Sequence, residues 1–168
     1  KSIDGRIVDL GLTDHGLLQT KEIFPLLKDK KISAIKISPS ISKWQMGTLI
    51  ASHLKLDPKN NPEALAGLTK LGYPQGSKLA NMHLAMVEKN LQWYDLWLTD
   101  HNGFESPFSL KTRIEYLIDR QPPGVVAWIV DEAIIWTLRA IQHNQTIRDS
   151  IVPPALTCEF NFAKSRQW

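Results

Sequence analysis

Hydroxyl and carboxyl side chains follow two apolar stretches of the chain, and the sequence could support chemistry at these two places. Segment 38–42 contributes Ser38, Ser40 and Ser42 after one apolar stretch, and Asp131 and Glu132 follow the other. If both stretches are parallel strands of one sheet, their carboxyl ends meet at one edge, where open α/β sheets bind ligands. A carboxylate at a helix start also suits free backbone N–H groups and the helix dipole. We favour this capping interpretation for Asp131 and Glu132 over a catalytic one.

The histidines and the cysteine give little support for a metal or nucleophile site. The five histidines are scattered, and none forms a pair at metal-ligand spacing. Asp14 and His15 could join Asp131 and Glu132 around a divalent cation, but no ligand spacing supports this, so neither a metal ion nor a cofactor is predicted. Cys158 is the single cysteine, which excludes an intramolecular disulfide, and its alternating surroundings predict a packed strand thiol.

Length and composition predict one globular domain. The chain has 168 residues, of which 43% are hydrophobic and 22% charged, with a formal net charge of +3. Because the basic residues are spread along the chain and no zinc-finger or RNA-reading motif is present, we expect no nucleic-acid partner. The longest apolar run, Val125–Val130, is too short to cross a bilayer. We expect an intracellular, cytoplasmic protein, although a removed targeting leader would leave no trace in this sequence.

Strands and helices alternate along the chain. This alternation predicts an α/β fold, a three-layer α/β/α sandwich with a mostly parallel central sheet, in one domain spanning 1–168 with a helical insertion at about 57–104. Thr13 is the expected cap of the first helix, which Pro25 should kink, and Ser40 or Ser42 should cap the next. The predicted strands are Ser33–Ile37, Val125–Val130 and Ala155–Phe162. The other predicted helices are Ile41–Leu54, Pro62–Leu71, Lys78–Leu98, Phe108–Arg120 and Glu132–His143.

Several segments resemble the phosphoglycerate mutase-like histidine phosphatases. Residues 9–19 (DLGLTDHGLLQ) are similar to that family's D-x-x-L-T-x-x-G-x-x-Q segment, and Ser38-Pro39 with Gln45 keeps its spacing. Glu105-Ser106 followed by Arg113 resembles G-E-S-x(6)-R. The run 125–138 lies where the family has V-V-S-H-G-G-x-I-R-x-L. The resemblance covers roughly residues 5–142. It implies the family's fold and a pocket at the strand ends, with Thr13, His15, Ser38 and Glu105 as neighbours.

The catalytic groups that the resemblance implies are not matched in this chain. In the family, a histidine attacks phosphorus while arginines and a second histidine hold the phosphoryl oxygens and a carboxylic acid serves the leaving group. The R-H-G nucleophile motif would lie upstream of Asp9 and does not occur between Lys1 and that residue. The arginine of S-P-x-x-R corresponds to Ser42. The second histidine corresponds to Asp131, its following glycine to Glu132, and the candidate proton donor is Glu63.

Lys43 is next to the missing arginine, but helical geometry should point it roughly 100° away. Replacing a cation by Asp131 turns attraction for a phosphoryl group into repulsion. At an effective dielectric constant of about 20, each pair of unit charges about 4 Å apart is worth roughly 4 kcal/mol. The charge pattern therefore opposes phosphoryl transfer.

Three interpretations follow. The favoured one is a catalytically inactive pseudo-phosphatase that acts in binding or as a structural subunit, with a protein partner or self-association. The second is an active phosphomonoesterase or phosphomutase whose nucleophile lies outside this chain or whose pocket is rewired. The third is an unrelated α/β domain, which would lack a strand at 33–37 beside one at 125–130. Most tryptophans are expected in the core, and several exposed together would favour a protein partner.

Overall fold

In the computed structural model the described residues are 10–69, 86, 88–100, 104–152 and 157–162. Their helices are α1 (Asp14–Glu22), α2 (Phe24–Leu27), α3 (Ile41–His53), α4 (Trp93–Asp100), α5 (Pro107–Asp119) and α6 (Glu132–His143). Short 3-10 helices span Ala66–Leu68 and Arg148–Ser150. Among these described segments, no helix is both long and apolar enough to cross a bilayer.

The sheet formed by the described residues has three parallel strands in the order β2-β1-β3. β1 is Ile32–Ile37, β2 is Glu63–Ala64 and β3 is Val125–Ile129. β1 is central, and its last residue pairs with Ala64 on one side and Ile129 on the other. The expected pairing of a strand at 33–37 with one at 125–130 is therefore confirmed. The absence of this strand pair would have supported an unrelated α/β domain, and the pair is present.

Two hydrophobic clusters cover the two faces of the sheet, which makes three layers. The isoleucine cluster contains Ile35, Ile37, Ile50, Ala51 and Ile129, with residues of α2 and α3 packed against it. The tryptophan cluster lies on the other face. Its buried members come from the 3-10 turn, α4, α5, α6 and the loops beside them: Leu68, Leu96, Trp97, Phe104, Leu110, Ile114, Ala133, Ile134, Trp136, Leu138, Ala140 and Ile147. Burial on both faces explains why β3 is apolar without alternation.

The first helical segment behaves as its sequence predicts. α1 ends at Glu22, and α2 begins afresh at Phe24 with Pro25 in its first turn. Proline lacks the backbone N–H that a continuous helix needs, so the chain bends there. The Thr13 side chain caps α1 by accepting from Gly16 N at 3.1 Å.

Two helix predictions are wrong in part. Within 62–69, where a helix was expected, Glu63–Ala64 instead extends the sheet edge beside β1 and only a 3-10 turn follows. The helix expected at Lys78–Leu98 lies partly outside the described residues, and its described part is interrupted. Asn90 is left-handed (φ 50°) and Leu91 N donates to Met86 O at 3.0 Å, an arrangement typical of a helix C-terminus.

The strand expected at Ala155–Phe162 is also wrong where it can be assessed. Residues 157–162 have no regular secondary structure, and 155–156 lie outside the described residues. Asn161 N donates to the Gln142 side chain at 3.3 Å, and Phe160 and Phe162 pack against the tryptophan cluster. The alternating pattern therefore reflects side-chain packing without a strand partner. Cys158 is half-buried in this segment as a free thiol.

Candidate functional site at the strand ends

β1 and β3 end side by side, and Ser38 ties their ends together. Ser38 N donates to Ile129 O at 3.0 Å, and its hydroxyl donates to Leu68 O. The residue is only 1% exposed. The backbone N–H and the hydroxyl of Ser38 thus join three segments of backbone. Its role in the structure is to fix the strand-end edge.

α3 begins at this edge and brings Ser42 and Lys43 to it. The Ser40 side chain accepts from Lys43 N at 3.3 Å, so Ser40 is the cap of α3. The Ser42 hydroxyl lies 3.4 Å from the Ser40 hydroxyl and is half-buried. Where the resembling family has an arginine, this chain therefore has a short neutral hydroxyl in the first turn of the helix.

An ion pair between Lys43 and Asp131 spans the two strand ends. Lys43 Nζ lies 3.2 Å from Asp131 Oδ1, with side chains 23% and 35% exposed. The expectation that Lys43 points away is wrong. Its long aliphatic stem compensates for the rotation around the helix, and the carboxylate attracts the ammonium group.

The capping prediction for Asp131 is also wrong in its chemistry. Asp131 has the extended backbone of an N-cap residue (φ −87°, ψ 161°), but its side chain makes no cap hydrogen bond. The nearby ammonium of Lys43 holds the carboxylate instead. Glu132 is half-buried in the first turn of α6, where its charge suits the helix dipole.

The loop before α1 also packs onto the start of α3. Leu12 N donates to Gln45 Oε1 at 2.7 Å. A Cβ added at Gly11 would lie 2.8 Å from the same oxygen, so this position needs glycine or a shifted Gln45 side chain. The spacing of Gln45 was noticed in the sequence, whereas its contact with this loop was not predicted.

His15 and Thr13 lie on the neighbouring helix. Thr13 is the cap of α1, and His15 is exposed in its first turn. Within the described residues no hydrogen bond or ion pair joins His15 to Asp131. The suggested metal site from Asp14, His15, Asp131 and Glu132 is not assembled, because no three acidic, histidine or cysteine residues among those described converge as ligands.

Glu105 and Arg113 form a structural unit. Arg113 Nε donates to Glu105 Oε1 at 3.0 Å, Nη2 donates to the other carboxylate oxygen, and Nη1 donates to Gly67 O at 2.6 Å and Thr69 O at 3.1 Å. The Trp97 indole donates to Glu105 O at 2.7 Å. This unit holds the segment whose Leu68 carbonyl accepts from Ser38. Glu105, expected beside the pocket, is thereby engaged as support for the strand ends.

Glu63, the candidate proton donor, pairs with Lys36 across β1 and β2. Both residues belong to the paired strands, with Lys36 and Glu63 in register. The ammonium of Lys36 thus holds the Glu63 carboxylate at the sheet edge.

Comparisons with known proteins agree on the fold. No protein-family model and no curated protein matches the sequence. A phosphoglycerate mutase from Bacillus anthracis str. Sterne is similar in structure with a TM-score of 0.62 and 20% identity, over 84% of this chain and 74% of that one. A mycobacterial glucosyl-3-phosphoglycerate phosphatase gives 0.63 and 16%, over 85% and 74%. A phosphoserine phosphatase from Entamoeba histolytica, solved with 3-phosphoglyceric acid, gives 0.57 and 17%, over 88% and 76%.

These structures establish a phosphoglycerate mutase-like α/β fold for this chain. The fold predicted from the sequence is confirmed.

Proposed function

We propose that this chain is a catalytically inactive, histidine-phosphatase-like domain that acts in binding or as a structural subunit. The observation that supports this most directly is the ion pair between Lys43 and Asp131 at the strand ends. An ammonium group that could attract a phosphoryl group is already neutralised by a carboxylate of the same chain.

The surrounding groups support the same conclusion. A phosphoryl dianion placed here would meet Asp131, with Glu132 as the next residue, and Ser42 offers a hydroxyl with no charge. Phosphoryl transfer depends on cations that stabilise charge moving onto the phosphoryl oxygens. One lysine opposed by two carboxylates does not supply that stabilisation.

An active phosphomonoesterase or phosphomutase is the second candidate. The observation that favours it is that Lys43 remains partly exposed, at 23%, and lies at the edge where such folds place their ligands. In this version Lys43 replaces the missing arginine as a ligand of the phosphoryl group, and polypeptide outside residues 1–168 supplies the nucleophile.

A charge-release experiment tests whether the ion pair blocks an anion site, and a hydrolysis assay then separates the two candidates. Asp131→Asn frees the Lys43 ammonium without changing side-chain size. We expect it to raise the affinity for inorganic phosphate on the order of 10-fold, because the repulsion between the Asp131 carboxylate and the phosphate is removed. Phosphorus NMR titration measures the affinity. The double variant Asp131→Asn/Lys43→Met should bind phosphate with the wild-type affinity.

Glu159→Gln is the matched control. It frees Lys30 from a more exposed ion pair that does not involve the strand-end residues, so phosphate affinity should not change. Phosphomonoester hydrolysis is assayed on the same full-length proteins, and we expect none from the wild type. Wild-type turnover that Lys43→Met abolishes would overturn the proposal in favour of the active enzyme.

A further inference from the structure

Three large apolar side chains are exposed where α3 begins. Leu10, Ile41 and Trp44 are each at least 50% exposed. Ile41 and Trp44 are one turn apart on α3, so they share one side of the helix. Leu10 lies two residues before Leu12, whose N–H donates to Gln45 Oε1 at 2.7 Å. The loop before α1 and the start of α3 thus form one exposed apolar surface, which we call the Trp44 surface.

Trp44 projects between two neighbours that are both held in place. Lys43 pairs with Asp131 on one side, and Gln45 accepts from Leu12 on the other. Because successive helical residues are about 100° apart, the direction of Trp44 lies between those of Lys43 and Gln45. Its indole is therefore presented to solvent beside the strand-end ion pair.

Carboxylates flank the Trp44 surface on both sides. Asp131 and Glu132 follow β3, and the ammonium of Lys43 pairs with the first of them. Asp14 begins α1, at the end of the loop that packs on α3. Among the described residues, no cation pairs with Asp14 or Glu132. Three carboxylates against one ammonium give these surroundings a negative charge.

We propose that the Trp44 surface binds an apolar, arginine-containing segment of a partner protein. The aliphatic side chains of this segment cover Leu10, Ile41 and Trp44, and its guanidinium groups pair with Asp131 and Glu132. Arginine suits this place because its planar fork binds carboxylates and its flat face stacks on tryptophan.

The charge of the surroundings selects this occupant over other classes of partner. Nucleic acids and anionic lipid surfaces carry phosphate groups, which the same carboxylates repel. An acidic protein segment is repelled for the same reason. The inference rests on the proposed function, because a segment bound here occupies the edge at which open α/β sheets bind small ligands.

Peptide titrations followed by NMR test the proposal on the full-length protein at about pH 8, where ordinary histidines are neutral. The probes are the end-blocked peptides Leu-Arg-Leu-Arg-Leu, Leu-Glu-Leu-Glu-Leu and Gly-Arg-Gly-Arg-Gly. The readout is the indole N–H signal of Trp44, which is assigned by its loss in Trp44→Phe. We expect the first peptide to shift this signal and to bind on the order of 10-fold more tightly than either of the others.

Substitutions at the ion pair should act in opposite directions. Lys43→Met removes the ammonium that competes for Asp131, so it should tighten binding of the leucine–arginine peptide on the order of 10-fold. Asp131→Asn removes the carboxylate and leaves the ammonium, so it should weaken binding by a similar factor. The same Asp131→Asn variant is expected to bind phosphate more tightly, whereas a general loosening of the fold would weaken the binding of both ligands.

Trp44→Ala tests the apolar part of the surface. Loss of the indole should weaken binding of the leucine–arginine peptide on the order of 10-fold. Tyr116→Ala is the matched control, because Tyr116 is similarly exposed, at 56%, but belongs to α5, which packs on the opposite face of the sheet. Its removal should leave the peptide affinity unchanged.

Three results would overturn the proposal. Equal binding of the arginine and glutamate peptides would show that charge does not select the occupant. Weaker binding after Lys43→Met would mean that the ammonium, and not the carboxylates, holds the ligand. Shifts of the Trp44 signal that follow protein concentration without any peptide would assign the surface to a second copy of the chain.

The proposed function is tested separately by the phosphomonoester assay on the same wild-type protein. Neither hydrolysis nor peptide binding would reject this inference alone and leave the inactive domain in place. Hydrolysis by the wild type would reject the proposed function and this inference with it.

Discussion

The guanidinium of Arg113 shows at the scale of one residue what holds the strand-end edge in place. It donates to both carboxylate oxygens of Glu105 and to the carbonyls of Gly67 and Thr69. A lysine would keep the charge but lose the planar fork, and it would leave carbonyl acceptors without a donor. We expect Arg113→Lys to lower the free energy of unfolding by about 2–3 kcal/mol in chemical denaturation.

Arg120→Lys is the control for this substitution. Arg120 is exposed and lies over the Tyr116 ring at 4.0 Å, so its replacement should cost less than about 1 kcal/mol. Equal losses from both variants would show that the hydrogen bonds of Arg113 contribute no more than an exposed cation does.

The sequence located the residues of the candidate site better than it described their contacts. Ser42 and Asp131 were expected at the strand ends, and the Lys43–Asp131 pair spans those ends. Their pairing was missed because helix periodicity gives the direction of a Cβ atom, whereas a lysine ammonium lies several bonds beyond it. Glu105 and Arg113 were noticed only as a resemblance, because the carbonyl groups that accept from Arg113 belong to a distant turn.

Close packing between α3 and the sheet can be tested at one position. A Cβ added at Gly47 would lie 2.8 Å from Pro62 Cβ and 3.0 Å from Ile37 Cγ2, so backbone or ring atoms must shift. Alanine favours a helix over glycine by about 1 kcal/mol. Overpacking typically costs about 1–3 kcal/mol, and we expect this cost to exceed the gain in helix propensity. Gly47→Ala should therefore lower the denaturation midpoint.

Gly16→Ala is the matched control within a helix. Its added Cβ would meet the tip of the Leu12 side chain at 3.2 Å, and a flexible side chain can move. We expect no loss of stability, or a gain of up to about 1 kcal/mol. A stabilised Gly47→Ala would mean that α3 can move away from β1 at little cost.

The elements that the sequence predicted well are those whose hydrophobic pattern matches their burial in the fold. β3 and α6 were expected close to their observed bounds, because an unbroken apolar run leads into a strongly amphipathic helix. β2 was missed because two residues are too few to show a period. At 157–162 alternation was present, but a strand also needs a hydrogen-bonded neighbour, and periodicity carries no information about neighbours.

Across the whole molecule, the sheet couples two separate clusters, and this predicts how the chain unfolds. Ile35 belongs to the isoleucine cluster, while Trp93, Trp97 and Trp136 belong to the other face. Ile35→Val should cost about 0.5–1.5 kcal/mol by removing one buried methylene. If residues 1–168 form one domain, the loss must also appear in tryptophan fluorescence, because one cooperative transition disrupts both faces.

We therefore expect the fluorescence and far-UV circular dichroism transitions of Ile35→Val to coincide and to shift together towards lower denaturant. Ile114→Val, in the tryptophan cluster, is the reciprocal variant and should shift both signals in the same way. If the circular dichroism transition of Ile35→Val shifts while its fluorescence transition does not, the helices around α4 unfold independently of the sheet. The helical section at 57–104 would then be a separate unit.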